Sequence, residues 1–256
     1  MIQTGISFAL NEQGRRSNNE DSIYPSQSEA GAINRFFIVC DGMGGHENGE
    51  VASNSVCESL AAFLTDVRPS EFNEAVFNRA LNFAFDELDQ KDECLNPAQK
   101  MGTTLAFLYL TDCKAFMAHI GDSRIYLFRK NGQGTVEVIY KSSDHSLVNE
   151  LLKAEIITEE EAAFHPKRNV ITRYMSPHME RRSKADIIIR QDVQAGDRFL
   201  LCSDGITECL TDAQLCAIMV ENDNEAIINT IRTTCKERSR DNFSAWLVPV
   251  TDDARD

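Results

Sequence analysis

Five aspartates stand in short glycine- or polar-flanked contexts: Asn19-Glu20-Asp21, Cys40-Asp41-Gly42-Met43-Gly44-Gly45, Gly121-Asp122-Ser123-Arg124, Ser203-Asp204-Gly205 and Asp241-Asn242. Carboxylates are hard oxygen donors, and a set of them gathered from distant parts of a chain suits Mg²⁺ or Mn²⁺. Two such ions, held about 3.5–4 Å apart, lower the pKa of a shared water and hold a substrate for in-line attack. Phosphoryl transfer from a monoester fits that arrangement, because the work is positioning and charge stabilisation. An arginine is then wanted to grip phosphate oxygens bidentately, and Arg16 precedes Asp21 by five residues.

These residues need elements to position them. Arg35 to Cys40 is a short apolar run that predicts a buried strand ending at Asp41. Helical periodicity follows from about Gly49 to Leu64, with Val51, Ala52, Ser55, Val56, Ser59, Leu60 and Phe63 on one face. A second helix is expected over Phe72 to Leu88, with a stripe of Phe72, Ala75, Val76, Ala80, Phe83 and Ala84. Three strands are expected next, over Thr103 to Leu110, Ala115 to Ile120 and Ser123 to Phe128; the short polar breaks between them favour antiparallel neighbours. Asn131 to Gly134 reads as a turn into a strand over Val136 to Tyr140. Residues 144–179 form a polar excursion with a capping box at Thr158 and Glu161. Strands resume over Ile187 to Ile189 and Phe199 to Cys202. A helix capped at Thr211 and Gln214 follows, then a helix over Glu225 to Cys235 and a closing strand over Ser244 to Val250. This order predicts an α+β fold with antiparallel sheets.

Composition bounds the function. The 256 residues are 42% hydrophobic and 26% charged, as in an ordinary globular domain, and one domain is expected. A net charge of −14 disfavours nucleic acid and anionic membranes as partners. Neither a signal peptide nor a membrane span is expected. None of the eight cysteines forms a Cys-x-x-Cys pair, and they read as reduced core residues of a cytoplasmic protein. The stretch from Asp41 to Glu50 fails as an EF-hand because Met43 takes the third loop position. P-loop, nucleophile-elbow and paired-histidine zinc motifs are absent, as is a Cys-x₅-Arg phosphate loop. His119 and His178 read as packing or surface residues.

Taken together, these motifs make the chain resemble the metal-dependent protein serine/threonine phosphatases, the protein phosphatase 2C family, in its compact bacterial form. The resemblance rests on Arg16-Ser-Asn-Asn-Glu-Asp21, Phe37-Ile-Val-Cys-Asp-Gly-Met-Gly-Gly45 and Met101-Gly-Thr-Thr104. It continues through Ala118-His-Ile-Gly-Asp-Ser-Arg-Ile-Tyr126, Ser143-Asp-His-Ser-Leu147, Asn169-Val-Ile-Thr-Arg173, Gly196-Asp-Arg-Phe-Leu-Leu-Cys-Ser-Asp-Gly205 and Asp241-Asn242.

The resemblance implies a sandwich of two antiparallel β-sheets flanked by helices, four layers αββα. It implies a single catalytic domain over 1–256, with a flap over about 144–179. It also implies a site that binds two Mn²⁺ or Mg²⁺ ions. Asp41 would bridge both, the Gly42 carbonyl would ligate one, Asp204 and Asp241 would hold one, and Asp21 would flank the other with Glu20 acting through water. Arg16 would bind the substrate phosphate, and Asp122 with Asp204 would hold a third, weaker ion.

Two positions depart from the family. Met43 stands where larger members carry a histidine, and a thioether cannot donate a proton. Protonation of the leaving alkoxide then falls to a metal-bound water or another side chain, with His46 nearby in sequence. Tyr174-Met175-Ser176-Pro177 replaces the small glycine-containing turn that usually follows Thr-Arg. The expected activity is hydrolysis of protein phosphoserine and phosphothreonine by a metal-bridging hydroxide, in a cytoplasmic monomer with a serine/threonine kinase as a cognate partner. The alternatives are a catalytically weak phosphoprotein-binding regulator and a phosphatase of small phosphate esters.

Overall fold

The computed structural model describes residues 1–31, 34–44, 48–67, 72–92 and 101–252. In chain order the elements are β1 (Ile2–Thr4), β2 (Phe8–Glu12), β3 (Asp21–Tyr24), β4 (Phe36–Met43), α1 (Asn48–Val67), α2 (Glu74–Lys91), β5 (Gly102–Thr103) and β6 (Leu105–Leu110). Then come β7 (Ala115–Ile120), β8 (Arg124–Lys130), β9 (Val136–Lys141), α3 (Leu147–Lys153), α4 (Glu159–Ala163), β10 (Asp186–Arg190) and β11 (Arg198–Cys202). The chain closes with α5 (Asp204–Thr207), α6 (Asp212–Ile218), α7 (Asn224–Arg238) and β12 (Phe243–Asp252).

Two antiparallel sheets form. One runs β1-β12-β11-β8-β9 with β2 also on β12, and the other runs β10-β7-β6-β4-β3 with β5 on β4. Side chains alternate across each strand, so the central strands are apolar on both faces. Phe37 and Val39 pack between the sheets, whereas Ile38 and Cys40 pack under α1 and α2. Ile125 and Leu127 meet the other sheet, and Tyr126 and Phe128 face the α6 and α7 side. Three apolar layers thus separate four structural layers, which is the expected αββα sandwich.

The local expectations hold with specific shifts. The capping boxes at Thr158 and Thr211 form. On α1, Val51 turns outward while Ala52, Val56 and Leu60 are buried. On α2 the buried stripe is Phe77, Ala80, Leu81, Ala84, Phe85 and Leu88, and Ala75 is exposed. Phe72 is buried but precedes the helix, which Asn73 caps through its side chain. Strand β4 continues past Asp41 to Met43 instead of ending at Asp41, because β3 pairs with Asp41 and β5 with Gly42 and Met43. The cysteines are free among the described residues; Cys113 is exposed in a turn, and Cys94 lies outside the described residues. No helix among the described residues is long and apolar enough to cross a membrane.

Candidate active site

The strand pattern itself delivers the aspartates to one pole. Asp41 follows Phe37 and Val39 at period two, so it shares their face, between the sheets. Asp21 is its direct partner across the β3–β4 ladder, which places the two carboxylates side by side. The opposite sheet answers from the same end. Asp204 follows the end of β11, Asp122 precedes the start of β8, and β8 and β11 pair with Cys202 opposite Arg124. Asp241 precedes β12, the other neighbour of β11.

Hydrogen bonds tie these ends together. Ser203 Oγ donates to Asp21 Oδ2 at 2.7 Å, which joins the two sheets, and accepts from the Ser244 N–H at 2.9 Å. Thr104 Oγ1 accepts from the Asp41 N–H at 2.9 Å and lies 2.6 Å from Ser123 Oγ, beside Asp122. Thr103 Oγ1 donates to the Asp41 carbonyl at 3.0 Å. Asn242 is a hub. Its amide donates to the Gln13 and Asn18 carbonyls, both at 2.7 Å, and its Oδ1 accepts from the Glu20 N–H at 2.9 Å. The loop that carries Arg16, Glu20 and Asp21 is thereby fastened to Asp241. Gly42 admits no side chain, since a Cβ there would lie 2.2 Å from the Gly49 carbonyl oxygen and 2.4 Å from that of Glu20.

The carboxylates are crowded in a poorly solvated recess. Burial, then the neighbouring Asp21, Asp204 and Asp122 charges, push Asp41 well above the usual carboxylate range. Burial raises Asp21 to about 7 against the opposing hydrogen bonds from Ser203 and Ser244. Burial and the Asp204 charge raise Asp122 to about 7, and burial and the Glu208 charge raise Asp204 to about 6. Glu20 is raised by burial. Solvent still reaches Asp41, Asp122, Asp204 and Asp241, which are partly exposed, while Asp21 is buried. Such a set cannot all be ionised without compensating cations. Its donors are hard oxygens throughout, so it fits Mg²⁺ or Mn²⁺.

Arg16 lies at the rim of this pole. Its guanidinium donates to Asp241 Oδ2, and that bond is the main reason its pKa is raised. More than half of the side chain is exposed, leaving it open to a ligand. Met43 is partly buried in β4, and His46 lies outside the described residues.

The excursion after β9 leans on the same pole. Met175 bridges Thr103 through N–H to carbonyl bonds of 2.8 and 2.9 Å, and Ser176 Oγ donates to the Met101 carbonyl at 2.8 Å. The unusual Tyr174-Met175-Ser176-Pro177 segment is therefore where the excursion is stapled back, with Met175 fully buried. At its other root, His145 takes both backbone groups of Gly121. Its N–H donates to the Gly121 carbonyl at 2.9 Å, and its Nδ1 accepts from the Gly121 N–H at 3.0 Å. The ring stacks on His119 at 4.6 Å, and its Nε2 lies 3.1 Å from Asp186 Oδ2. The motifs containing Thr104, Ser203, His145 and Asn242 were visible in the sequence, but their clamping roles were not.

Every aspartate singled out from the sequence, with Glu20, Gly42 and Arg16, thus reaches one pole of a two-sheet sandwich. The chain belongs to the protein phosphatase 2C family, whose profile matches residues 12–250. Among curated proteins it is 36% identical over 214 residues to protein phosphatase PhpP of Streptococcus pneumoniae, covering 82% of each chain. It is 33% identical over 238 residues to the serine/threonine protein phosphatase PstP of Mycobacterium tuberculosis, covering 93% of this chain and 43% of that one. The crystal structure of M. tuberculosis PstP superposes with a TM-score of 0.82 at 30% identity, covering 96% of this chain and 98% of that one. A PstP catalytic domain in complex with two manganese ions gives a TM-score of 0.81 at 29% identity, covering 98% of this chain and 100% of that one.

Proposed function

We propose that the chain is a single catalytic domain that hydrolyses phosphoserine and phosphothreonine in proteins, dependent on two Mn²⁺ or Mg²⁺ ions. The observation that carries this reading is the gathering of Asp21, Asp41 and Asp204 at one pole with no cation of the described residues paired to them, beside Asp241, which Arg16 at the rim engages.

Asp41 would serve both ions, Asp204 and Asp241 would hold one, Asp21 would flank the other with Glu20 acting through water, and the Gly42 carbonyl would ligate one of the two. Asp122 with Asp204 would take a third, weaker ion. When bound, the ions supply the activated water and neutralise charge developing on the phosphoryl group. Arg16, oriented by Asp241, grips the phosphate oxygens and holds the ester in line. The ladder bonds and the Thr104, Ser203 and Asn242 clamps keep the carboxylates in place without rearrangement during turnover. Met43 offers no proton, so the leaving alkoxide takes its proton from water or from a side chain other than residue 43.

Protein substrates are favoured over small esters by the open groove described below. A cognate serine/threonine kinase is the expected partner on family grounds. Hydrolysis of a phosphothreonine peptide by purified protein, with Mn²⁺ and with excess chelator, tests the reading. Turnover that requires metal is expected. Binding of the phosphopeptide without turnover by folded, metal-loaded protein would instead show a phosphoprotein-binding regulator.

A further inference from the structure

A groove of about 700 Å³ opens beside the acidic pole, lined by Asp122 and Asp204 and also by Arg168, Arg238 and Arg240. Arg168 comes from the excursion after β9, Arg238 ends α7, and Arg240 follows it. All three are exposed, and none pairs with a carboxylate among the described residues. Arg15, Arg79 and Arg198 also lack a carboxylate ion pair among the described residues, but a backbone carbonyl, the Phe63 ring and amide and carbonyl oxygens engage them instead. The chain carries 40 aspartates and glutamates against 26 lysines and arginines, and Arg35, Arg129, Arg182 and Arg190 each find an aspartate. The fourth arginine of the groove, Arg124, is spent on a bidentate pair with Asp144 at 2.7 and 2.6 Å. Two sequence regions about 70 residues apart therefore bring unpaired guanidinium groups to a groove that also contains carboxylates of the candidate metal pole.

We propose that this groove is a substrate subsite that reads a second anionic group, a carboxylate or a second phosphate, close in sequence to the phosphorylated residue. A guanidinium fork matches both anions bidentately. With the scissile phosphate gripped by Arg16 at the pole to which Asp204 belongs, a peptide running along the groove lays its neighbouring side chains against Arg168, Arg238 and Arg240. The groove also holds Asp144 and the exposed Glu208, so against a net charge of −14 it is the three guanidinium groups without carboxylate partners, and not an excess of cations, that would draw an anionic side chain. The proposal rests on the phosphatase reading above and adds the substrate class to it.

The test compares four phosphothreonine peptides, flanked by glutamate, by a second phosphoserine, by alanine or by lysine, with Mn²⁺ present. The wild type is expected to favour the glutamate and doubly phosphorylated peptides over the alanine peptide on the order of tenfold in kcat/KM, mainly through KM. The preference shrinks as salt rises. The R168E/R238E variant is expected to reverse the order and gain on the lysine peptide, which a merely misfolded variant would not do. Preference for the second phosphate alone narrows the subsite to phosphate. Equal rates on all four peptides in the wild type, with metal dependence intact, overturn the subsite and leave the phosphatase reading standing. Failure to hydrolyse any of them overturns both.

Discussion

Two clusters of titratable side chains meet at the turn Gly121–Asp122, and they differ in whether the protein answers their charges. On one side, Asp21, Asp41, Asp122 and Asp204 press on one another, and burial raises all four. On the other, His119, His145 and Asp186 bring metal-ligating atoms within 4.8 Å of one another. Yet that second cluster is already occupied by the protein. His119 Nε2 bonds the Ser143 carbonyl at 3.0 Å, His145 Nδ1 takes the Gly121 N–H, and Asp186 accepts from Arg173 at 2.7 Å. Burial lowers both histidines, which favours their neutral forms. Similar residue types thus serve as a candidate metal pole where they are uncompensated and as a clamp where protein groups engage most of them, His145 Nε2 having only its 3.1 Å approach to Asp186 Oδ2.

The largest effect that could break this contrast comes from Asp41→Asn or Asp204→Asn. Each is expected to lower turnover about 10³-fold or more and to weaken Mn²⁺ binding. Near-wild-type rates at saturating metal would show that the pole is not the site.

Removing a clamp comes next. His145→Ala and Asn242→Ala are each expected to cost about 10- to 100-fold in metal affinity or activity, since they orient the turn and the loop that carry the carboxylates. His119→Ala is expected to cost stability, about 1–3 kcal/mol, with kcat retained. A matching loss of kcat there would show that the whole His119–His145–Asp186 cluster, and not His145 alone, supports the pole.

The pH dependence sharpens the contrast further. Asp21 is raised from an ordinary 3.8 to about 7, so the folded protein binds more protons than the unfolded chain between those values. Its contribution is complete below about pH 4 and is lost as pH rises through 7. Metal-free wild type should therefore lose stability relative to Asp21→Asn across that window, by up to about 4 kcal/mol. Bound Mn²⁺ should remove the difference in slope. Thermal unfolding of chelated protein at several pH values checks this, and parallel curves would contradict it.

Smaller still, Arg16→Ala should raise KM for phosphate esters several-fold with little change in kcat, because it removes a contact present in the ground state. A large fall in kcat at constant KM would assign Arg16 to the transition state instead.

Much of this was legible in the sequence because apolar runs and punctuating aspartates mark strands and their ends. Strands β6 to β12 fall close to their expected spans for that reason. The N-terminal strands were missed: β1 has three residues, and β3, Asp-Ser-Ile-Tyr, lacks an apolar run. The phase of α2 slipped because alanine and phenylalanine occur on both faces, and only packing selects Phe77, Leu81 and Phe85 over Ala75. The aspartates of the pole were found because Asp-Gly and Gly-Asp contexts recur along the chain. The clamps were not, since a lone Asn242 or Thr104 carries no spacing signal; its partners are set only when the strands pair. The arginines of the groove were equally silent, because their lack of carboxylate partners is a property of the fold.

The most direct test of the central claim is the stoichiometry of Mn²⁺ binding by calorimetry, in the wild type and in Asp41→Asn. Two ions per wild-type chain are expected, with protons released on binding near pH 6 to 7 and with both sites severely weakened in the variant. Fewer than two ions, or binding that Asp41→Asn leaves unchanged, would contradict the assignment of the acidic pole as a two-metal site.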